Sequence, residues 1–480
     1  MDEIINSFLD VASKKKVQYA DIRVLARRRE EITVRDGKVE SLGQSSEDGF
    51  GVRVLVGGRW GFAASRDVSA AEAATIAEQA VRIAQASAQA GGEPVRLDDS
   101  PPEQGEWATP FEQDPFAVSL EDKLKRLFAA DAALAKAAPV THRSAFFDAW
   151  REDQHFASTA GARLHQVITE CGGGILAEAI KDGDQQVRCY PNSFRGQFHT
   201  AGYEAFMRYD MVAEAPRVAQ ECVELLGAPL LPSGETTLII DGPQLALQIH
   251  ESIGHPLELD RVMGMEAAYA GTSFVKPTDI GSLKYGSGVM NITADPTLSG
   301  GLGSYAFDDD GVRTFRDPLI VGGVLQGFLT NRETSPIVGR RSNGCNRADG
   351  YARLPIVRMC NVNLEPGDWT LEALIADTKD GYLLSNNRSW SIDDKRINFQ
   401  FGCEAAWEIK DGKLGRLFKN PNYTGITTQF WGSMDAICDA NHWNIWGTPN
   451  CGKGQPSQTA HVAHGCAPCR FRNVRVGVRG

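Results

Sequence analysis

The sequence predicts an α+β fold: an N-terminal domain of helices and antiparallel strands over residues 1–229, then a β-rich C-terminal domain over 230–480. Three observations carry this. Asp36-Gly37 and Gly57-Gly58 each sit between apolar alternations, the pattern of a tight hairpin. Helix-periodic stretches at 69–90, 119–137 and 211–226 interleave with strand-like segments. Beyond residue 270 the chain turns rich in Gly, Asn, Asp and β-branched residues, with Asp-Gly pairs at 310-311, 349-350, 380-381 and 411-412 that read as turns.

In chain order, Ile4, Ile5, Phe8, Leu9, Val11 and Ala12 recur at helical spacing. Strands are predicted at 21–25, 31–34, 38–42, 51–56 and 59–64, followed by an Ala-rich helix over 69–90. Residues 91–116, with Pro101-Pro102 and many Gly and acidic residues, read as a linker that would divide the N-terminal domain into two subdomains. A helix over 119–137, strands at 144–150, 154–159 and 163–169 and a helix near 211–226 complete this half. The segment 227–234 holds two prolines and two glycines and marks the domain boundary. An apolar strand at 236–241 then runs into a helix opened by Gly242-Pro243, with proline at an early helical position.

The net charge of -11 argues against a nucleic-acid partner, because binding a phosphate backbone needs a basic face. Lys14-Lys15-Lys16 and Arg27-Arg28-Arg29 are short runs and read as solvated surface charge. The N-terminus lacks the charged-then-apolar pattern of a secretory signal, and no run of apolar residues is long enough to span a membrane, so a cytoplasmic location is expected. Ten scattered cysteines in such a protein are expected to be mostly reduced and buried.

The segment His250-Glu251-Ser252-Ile253-Gly254-His255-Pro256 carries the chemistry. Neutral imidazoles are good zinc ligands, and a carboxylate beside one can take a proton from water. The spacing is H-E-x-x-x-H. In the commoner H-E-x-x-H motif the two histidines lie ~40° apart around a helix, whereas five steps separate them by ~140°. A regular α-helix therefore aims them apart. Two local departures would reunite them: a π-type turn, which aligns residues i and i+5, or an end to the helix before His255, favoured by Gly254 and Pro256. A chance pairing of two histidines near a glutamate is the bland alternative.

A zinc site needs a further protein ligand. Glu258 is near in sequence but would also suit a role orienting a ligand. The tail offers His442, Cys451, His461, His464, Cys466 and Cys469. Cys466 and Cys469 with His461 and His464 would make a separate structural site, against the simpler reading of two ordinary reduced cysteines.

These segments resemble the TldD/PmbA family, in its metal-bearing TldD branch. The likeness covers nearly the whole chain. It rests on the His250–Glu258 segment, on Gly303-Ser304-Tyr305-Ala306-Phe307-Asp308-Asp309-Asp310-Gly311-Val312 and on Gly323-Val324-Leu325-Gln326-Gly327-Phe328-Leu329. It rests further on Arg358-Met359-Cys360-Asn361, Met434-Asp435-Ala436, Cys451-Gly452-Lys453-Gly454-Gln455 and the N-terminal stretches around 19–23, 34–40 and 51–55. The resemblance implies a zinc metallopeptidase acting on unfolded or flexible peptides. In that reading one Zn2+ per chain is held by His250, His255 and Cys451, and Glu251 is the general base. It also implies a homodimer, or a heterodimer with a PmbA/TldE-like chain. The β-rich half suggests that a peptide binds in extended form as an added strand.

Two other classes compete. A non-catalytic regulatory or scaffold partner would not need the complete His-Glu-His set. A nucleotide-binding enzyme would need more than the glycine-rich run Ser299-Gly300-Gly301-Leu302-Gly303-Ser304, which lacks a phosphate-loop lysine and reads as a tight turn.

Overall fold

The structure is a computed structural model and describes residues 1–477. Helix α1 (Asp2–Lys14) leads into strands β1 (Tyr19–Arg35), β2 (Lys38–Val56) and β3 (Arg59–Ser65), then helix α2 (Ala70–Gln89). Strand β4 (Gln104–Ala108), helix α3 (Leu120–Ala137) and strands β5 (His142–Ser158), β6 (Arg163–Lys181), β7 (Asp184–Tyr190) and β8 (Gln197–His199) follow. Helices α4 (Tyr203–Met207) and α5 (Met211–Gly227) end this part. The strands form one eight-stranded sheet in the order β3-β2-β1-β5-β6-β4, with β7 and β8 also paired to β6.

The hairpin turns at 36–37 and 57–58 fall where the sequence places them, but the strands around them are longer. The predicted breaks at 26–30 and 43–50 do not exist, because β1 and β2 run through them. The strand middles are charged, and side-chain pairing takes the place of apolar alternation there. Arg27 pairs with Glu152 at 2.6 Å, and Glu30 receives Lys123 Nζ at 2.6 Å. Cross-strand and same-face pairs of this kind support a sheet where hydrophobicity does not. The segment 91–116 is not wholly a linker either, since β4 pairs in parallel with β6.

One face of this sheet carries the helices. Helices α1 and α2 cover β1–β3 through Ile4, Phe8, Val52 and Ile76. Helices α3 and α5 cover the rest through Leu127, Phe147 and Val218. The opposite face meets the second half of the chain. Arg53 lies between Asp21 at 2.6 Å and Asp310 at 2.7 Å, and Gln154 Nε2 donates to Asp309 at 2.8 Å. Arg27 also reaches across to Asp349 at 2.9 Å. The reading of Arg27 as solvated surface charge is therefore corrected: it is one of the ties between the two halves. Removing one partner of a buried pair such as Arg53–Asp21 typically costs about 3–5 kcal/mol.

The second half is β-rich, as the sequence predicts. Strand β9 (Gly234–Ile240) joins strands Asp380–Ile392, Asn398–Lys410, Asn422–Ile426 and Cys469–Val476 in a closed ring of pairings. Asp411-Gly412 makes the expected hairpin. Asp380-Gly381 does not make a turn; it opens the strand Asp380–Ile392. Helix α6 (Gly242–Ile249) follows β9, with Asp241 accepting from the Gln244 N–H as its cap. Every residue of α6 is buried. Its two glutamines share the Tyr423 hydroxyl, which accepts from Gln244 Nε2 and donates to Gln248 Oε1, both at 2.9 Å. A two-stranded ribbon, Asn444–Lys453 with Gln458–Cys466, carries Cys451 beside this helix. The segment 227–234, where the sequence leads one to expect the domain boundary, connects α5 to β9.

Candidate metal centre

Helix α6 continues without a break into a π-turn, His250–Gly254, and a 3₁₀ turn, His255–Leu257. The His255 N–H bonds to the carbonyl of His250, five residues back. Of the two departures that would align the histidines, the π-turn is the one that forms. His255 keeps helical dihedrals (φ -59, ψ -42) although proline follows, so packing overrides the local preference. The ring centroids of His250 and His255 are 4.8 Å apart.

The surroundings stabilise this irregular turn. The Tyr285 hydroxyl donates to the Ser252 carbonyl at 2.6 Å, so this carbonyl does not stay unpaired. Ser252 Oγ donates to the Gln248 carbonyl and accepts from Trp431 Nε1 at 2.9 Å. Gly254 packs against Met359: a Cβ there would lie 2.0 Å from the methionine sulfur, so any larger residue would have to displace that buried side chain.

Cys451 arrives from the ribbon. Its Sγ is 3.8 Å from His255 Nε2, and one ligand atom from each of His250, His255 and Cys451 lies within 4.8 Å of the others. With ordinary Zn–N and Zn–S lengths, a 3.8 Å separation subtends roughly 120° at an ion, close to a tetrahedral angle. The three side chains are buried, and the donor set of two imidazoles and a thiolate suits a borderline-soft ion.

Hydrogen bonds set the tautomers. His464 Nδ1 lies 3.0 Å from the Val362 carbonyl, which can only accept, so His464 Nδ1 carries a proton and Nε2 a lone pair. That lone pair faces His250 Nδ1 at 2.8 Å, so His250 donates from Nδ1 and leaves Nε2 without its proton. His255 Nδ1 lies 2.8 Å from the Glu258 carboxylate, which frees its Nε2 in the same way. Glu258 is itself fully buried. Lys453 Nζ stands 3.5 Å from it and 2.7 Å from Asp260.

The electrostatics follow from these contacts. Burial by itself would raise the Cys451 thiol, but His250, Arg358 and His255 together hold it well below its ordinary range. Burial pushes His255 down to about 3, with the nearby thiolate only partly opposing it. Burial also penalises the Glu251 carboxylate. His250, Arg396 and His255 outweigh that penalty and hold it below its usual range. Glu251 is ion-paired with Arg396, whose backbone has a left-handed φ of 64 in the loop between Asp380–Ile392 and Asn398–Lys410. Arg396 O accepts from Thr427 Oγ1 at 2.7 Å, and its own N–H donates to the Asp393 carbonyl, which fixes that loop.

A cleft of about 410 Å³ opens on these residues, walled by Phe194, Leu247, Trp390, Ile392, Arg396 and Asn450. The strand carrying Cys451 has a single paired neighbour, and its register shifts between Thr448 and Cys451. Across the cleft, Asp380–Ile392 pairs with β9 only through residues 382–384. Among the described residues, 444–453 pair with one strand alone, and 385–392 pair with Asn398–Lys410 alone.

The other tail candidates stand elsewhere. Cys466 Sγ bonds to the Gly242 carbonyl and Cys469 Sγ to the Ala467 carbonyl. His461 pairs with Glu170 at 2.6 Å, and His442 with Asp439 at 2.8 Å. Among the described residues these side chains form no metal-binding group with one another, so a separate structural site there is set aside. Sequence reasoning missed His464 as the partner of His250, and it missed Arg396 and Lys453. Arg358 stood in a quoted motif without a role; its guanidinium donates to the Cys451 carbonyl and, at 3.1 Å, to that of Gln458. Among the described residues no helix is long and apolar enough to cross a membrane.

Two family models match the chain: a PmbA/TldA metallopeptidase C-terminal domain over residues 233–477 and a PmbA/TldA metallopeptidase domain 1 over 20–84. The chain is 28% identical over 448 residues to Metalloprotease MJ0996 of Methanocaldococcus jannaschii, covering 93% of this chain and 95% of that one. It is 24% identical over 246 residues to a zinc metalloprotease TldD homolog of Saccharolobus solfataricus, covering 51% of this chain and 52% of that one. Its fold is similar to the crystal structure of TldE from Thermococcus kodakarensis, with TM-score 0.75 and 17% identity over 99% of this chain and 100% of that one.

Proposed function

The chain belongs to the PmbA/TldD metallopeptidase family, and from that premise we propose that it is a zinc-dependent peptidase with His250, His255 and Cys451 as the metal ligands and Glu251 as the general base. The observation that carries this is convergence. Ligand atoms from residues 196 positions apart in the chain meet in one buried pocket, with both imidazoles turned so that Nε2 is free. The curated relatives are named metalloproteases, one of them a zinc enzyme.

The donor set fits one Zn2+ per chain and leaves a fourth position for substrate or water. When bound, zinc supplies a Lewis acid toward a peptide carbonyl and makes water acidic near pH ~7. The remaining chemistry belongs to the side chains. Glu251, lining the cleft next to His250, takes the proton from the attacking water and returns it to the leaving amine. Arg396 positions the Glu251 carboxylate. The strand edges at the two cleft walls, each with one strand partner, accept the substrate as an added strand. Main-chain pairing then provides affinity that ignores side-chain identity, and the substrates are unfolded or flexible peptides. In this reading the chain assembles as a dimer, with a second copy or with a PmbA/TldE-like chain. We place the enzyme in the cytoplasm.

The test is hydrolysis of denatured casein by wild type and Glu251→Ala, with zinc counted in both. Wild type should cleave, chelator should stop it, and the variant should lose cleavage while keeping its zinc. Substantial cleavage by the zinc-loaded variant would remove Glu251 from its role.

A further inference from the structure

We propose that Asp153, His155 and His165 form a second cation site, on the helical face of the N-terminal sheet, which takes a borderline divalent ion such as Zn2+. The site stands apart from the cleft and does not depend on the peptidase reading.

Strand register builds it. His155 on β5 lies directly opposite His165 on β6, and Asp153, two residues earlier on β5, shares their face. The two imidazoles stack with centroids 4.1 Å apart and planes 3° from parallel. Both present Nε2 to one carboxylate: Asp153 Oδ1 is 2.9 Å from His165 Nε2 and 3.7 Å from His155 Nε2. One donor atom from each residue lies within 4.8 Å of the others.

The His165 contact is a hydrogen bond. The His155 distance is too long to be one, and His155 Nε2 makes no hydrogen bond among the described residues. A carboxylate that satisfies one imidazole therefore leaves a second, parallel imidazole with nothing to bind. A cation seated between the three would satisfy all of them once the rings swing out of their parallel stack to aim both Nε2 lone pairs at it. Side chains here are about one-third exposed, with His155 at 28% and His165 at 33%, so an ion can enter and the rings can turn. Exposed Glu106 on β4 is the register partner of His165.

The ligand chemistry selects the ion. Two imidazole nitrogens with a carboxylate suit Zn2+, Ni2+ or Cu2+, whereas Mg2+ and Ca2+ prefer oxygen alone. An ion here would clip β5 to β6.

The experiment is equilibrium dialysis of the full, zinc-loaded chain against rising free Zn2+, with metal counted per chain and thermal melting followed in parallel. Wild type should take up a second, weaker equivalent and melt at higher temperature as it does so. His155→Gln and His165→Gln should each stop at the first equivalent, lose the zinc-dependent rise in melting temperature and keep casein hydrolysis. Cys451→Ser should lose the tight equivalent and keep the weaker one, which separates failure of this site from failure of the central one. A wild type that shows no second uptake, or His155→Gln and His165→Gln variants that still show it, would overturn the assignment.

Discussion

His250 Nδ1 lies 2.8 Å from His464 Nε2, and His464 in turn donates to the Val362 carbonyl at 3.0 Å. This chain of two imidazoles and a carbonyl runs from strand 362–364 through the ribbon to the proposed ion site and fixes which His250 nitrogen faces it. Burial, and then His250, hold His464 well below the ordinary histidine range, so it stays a neutral acceptor. Replacing it with phenylalanine removes the acceptor and leaves His250 free to turn or change tautomer. Zinc affinity of His464→Phe, measured by competition with a chelating dye, should fall by about 10–100-fold. Unchanged affinity would show that the contact does not orient His250.

Arg396 acts on Glu251 from the side of the cleft opposite the ribbon. Its position on a strand-connecting loop, with a left-handed backbone, is held by Thr427 and Asp393. Arg396→Ala should lower kcat by at least about tenfold, the scale of a misdirected general base, with zinc content and KM little changed. Arg396→Lys should recover part of kcat, because it restores the charge next to the carboxylate. Equal loss in both variants, or loss of zinc, would mean that the residue supports the loop and not the base.

His199, which does not line the cleft, gives a pH prediction. Its Nδ1 bonds to the Gly300 carbonyl at 2.8 Å, its Nε2 to the Tyr209 hydroxyl at 3.0 Å, and burial pushes it down to about 4. The unfolded chain therefore takes up this proton before the folded one does. The stability this group contributes is complete above pH ~6.5 and drains away as pH falls toward 4. By pH 5 the loss should be on the order of 2 kcal/mol. His199→Gln can keep both hydrogen bonds and does not titrate, so urea unfolding at pH 7 and pH 5 should show a smaller loss for the variant. Equal losses would place the acid sensitivity elsewhere.

Much of the centre was legible in the sequence. The H-E-x-x-x-H spacing demanded a departure from the α-helix, and Gly254 and Pro256 pointed to where. The π-turn itself depends on Tyr285, Trp431 and Met359, which reach it from distant segments, so the sequence left two departures open. Cys451 was one of several tail candidates, and only the family likeness singled it out. His464 and Arg396 carry no local signal: one sits mid-strand among small residues, the other in a polar loop. The long strands β1 and β5 read as shorter from sequence because their middles are charged, and β6 because Gly172-Gly173-Gly174 interrupts its apolar pattern; the pairs that support β1 and β5, Arg27–Glu152 and Lys123–Glu30, span about a hundred residues or more.

The central claim is that two imidazoles from the α6 extension and one thiolate from the ribbon grip a single ion. The most direct measurement is zinc per chain, by mass spectrometry of elements, in protein purified under reductant, for wild type, Cys451→Ser and Cys466→Ser. About one zinc is expected in wild type and in Cys466→Ser, and a sharp fall in Cys451→Ser. Zinc retained by Cys451→Ser and lost from Cys466→Ser, or a wild type unable to take up zinc at all, would contradict the account.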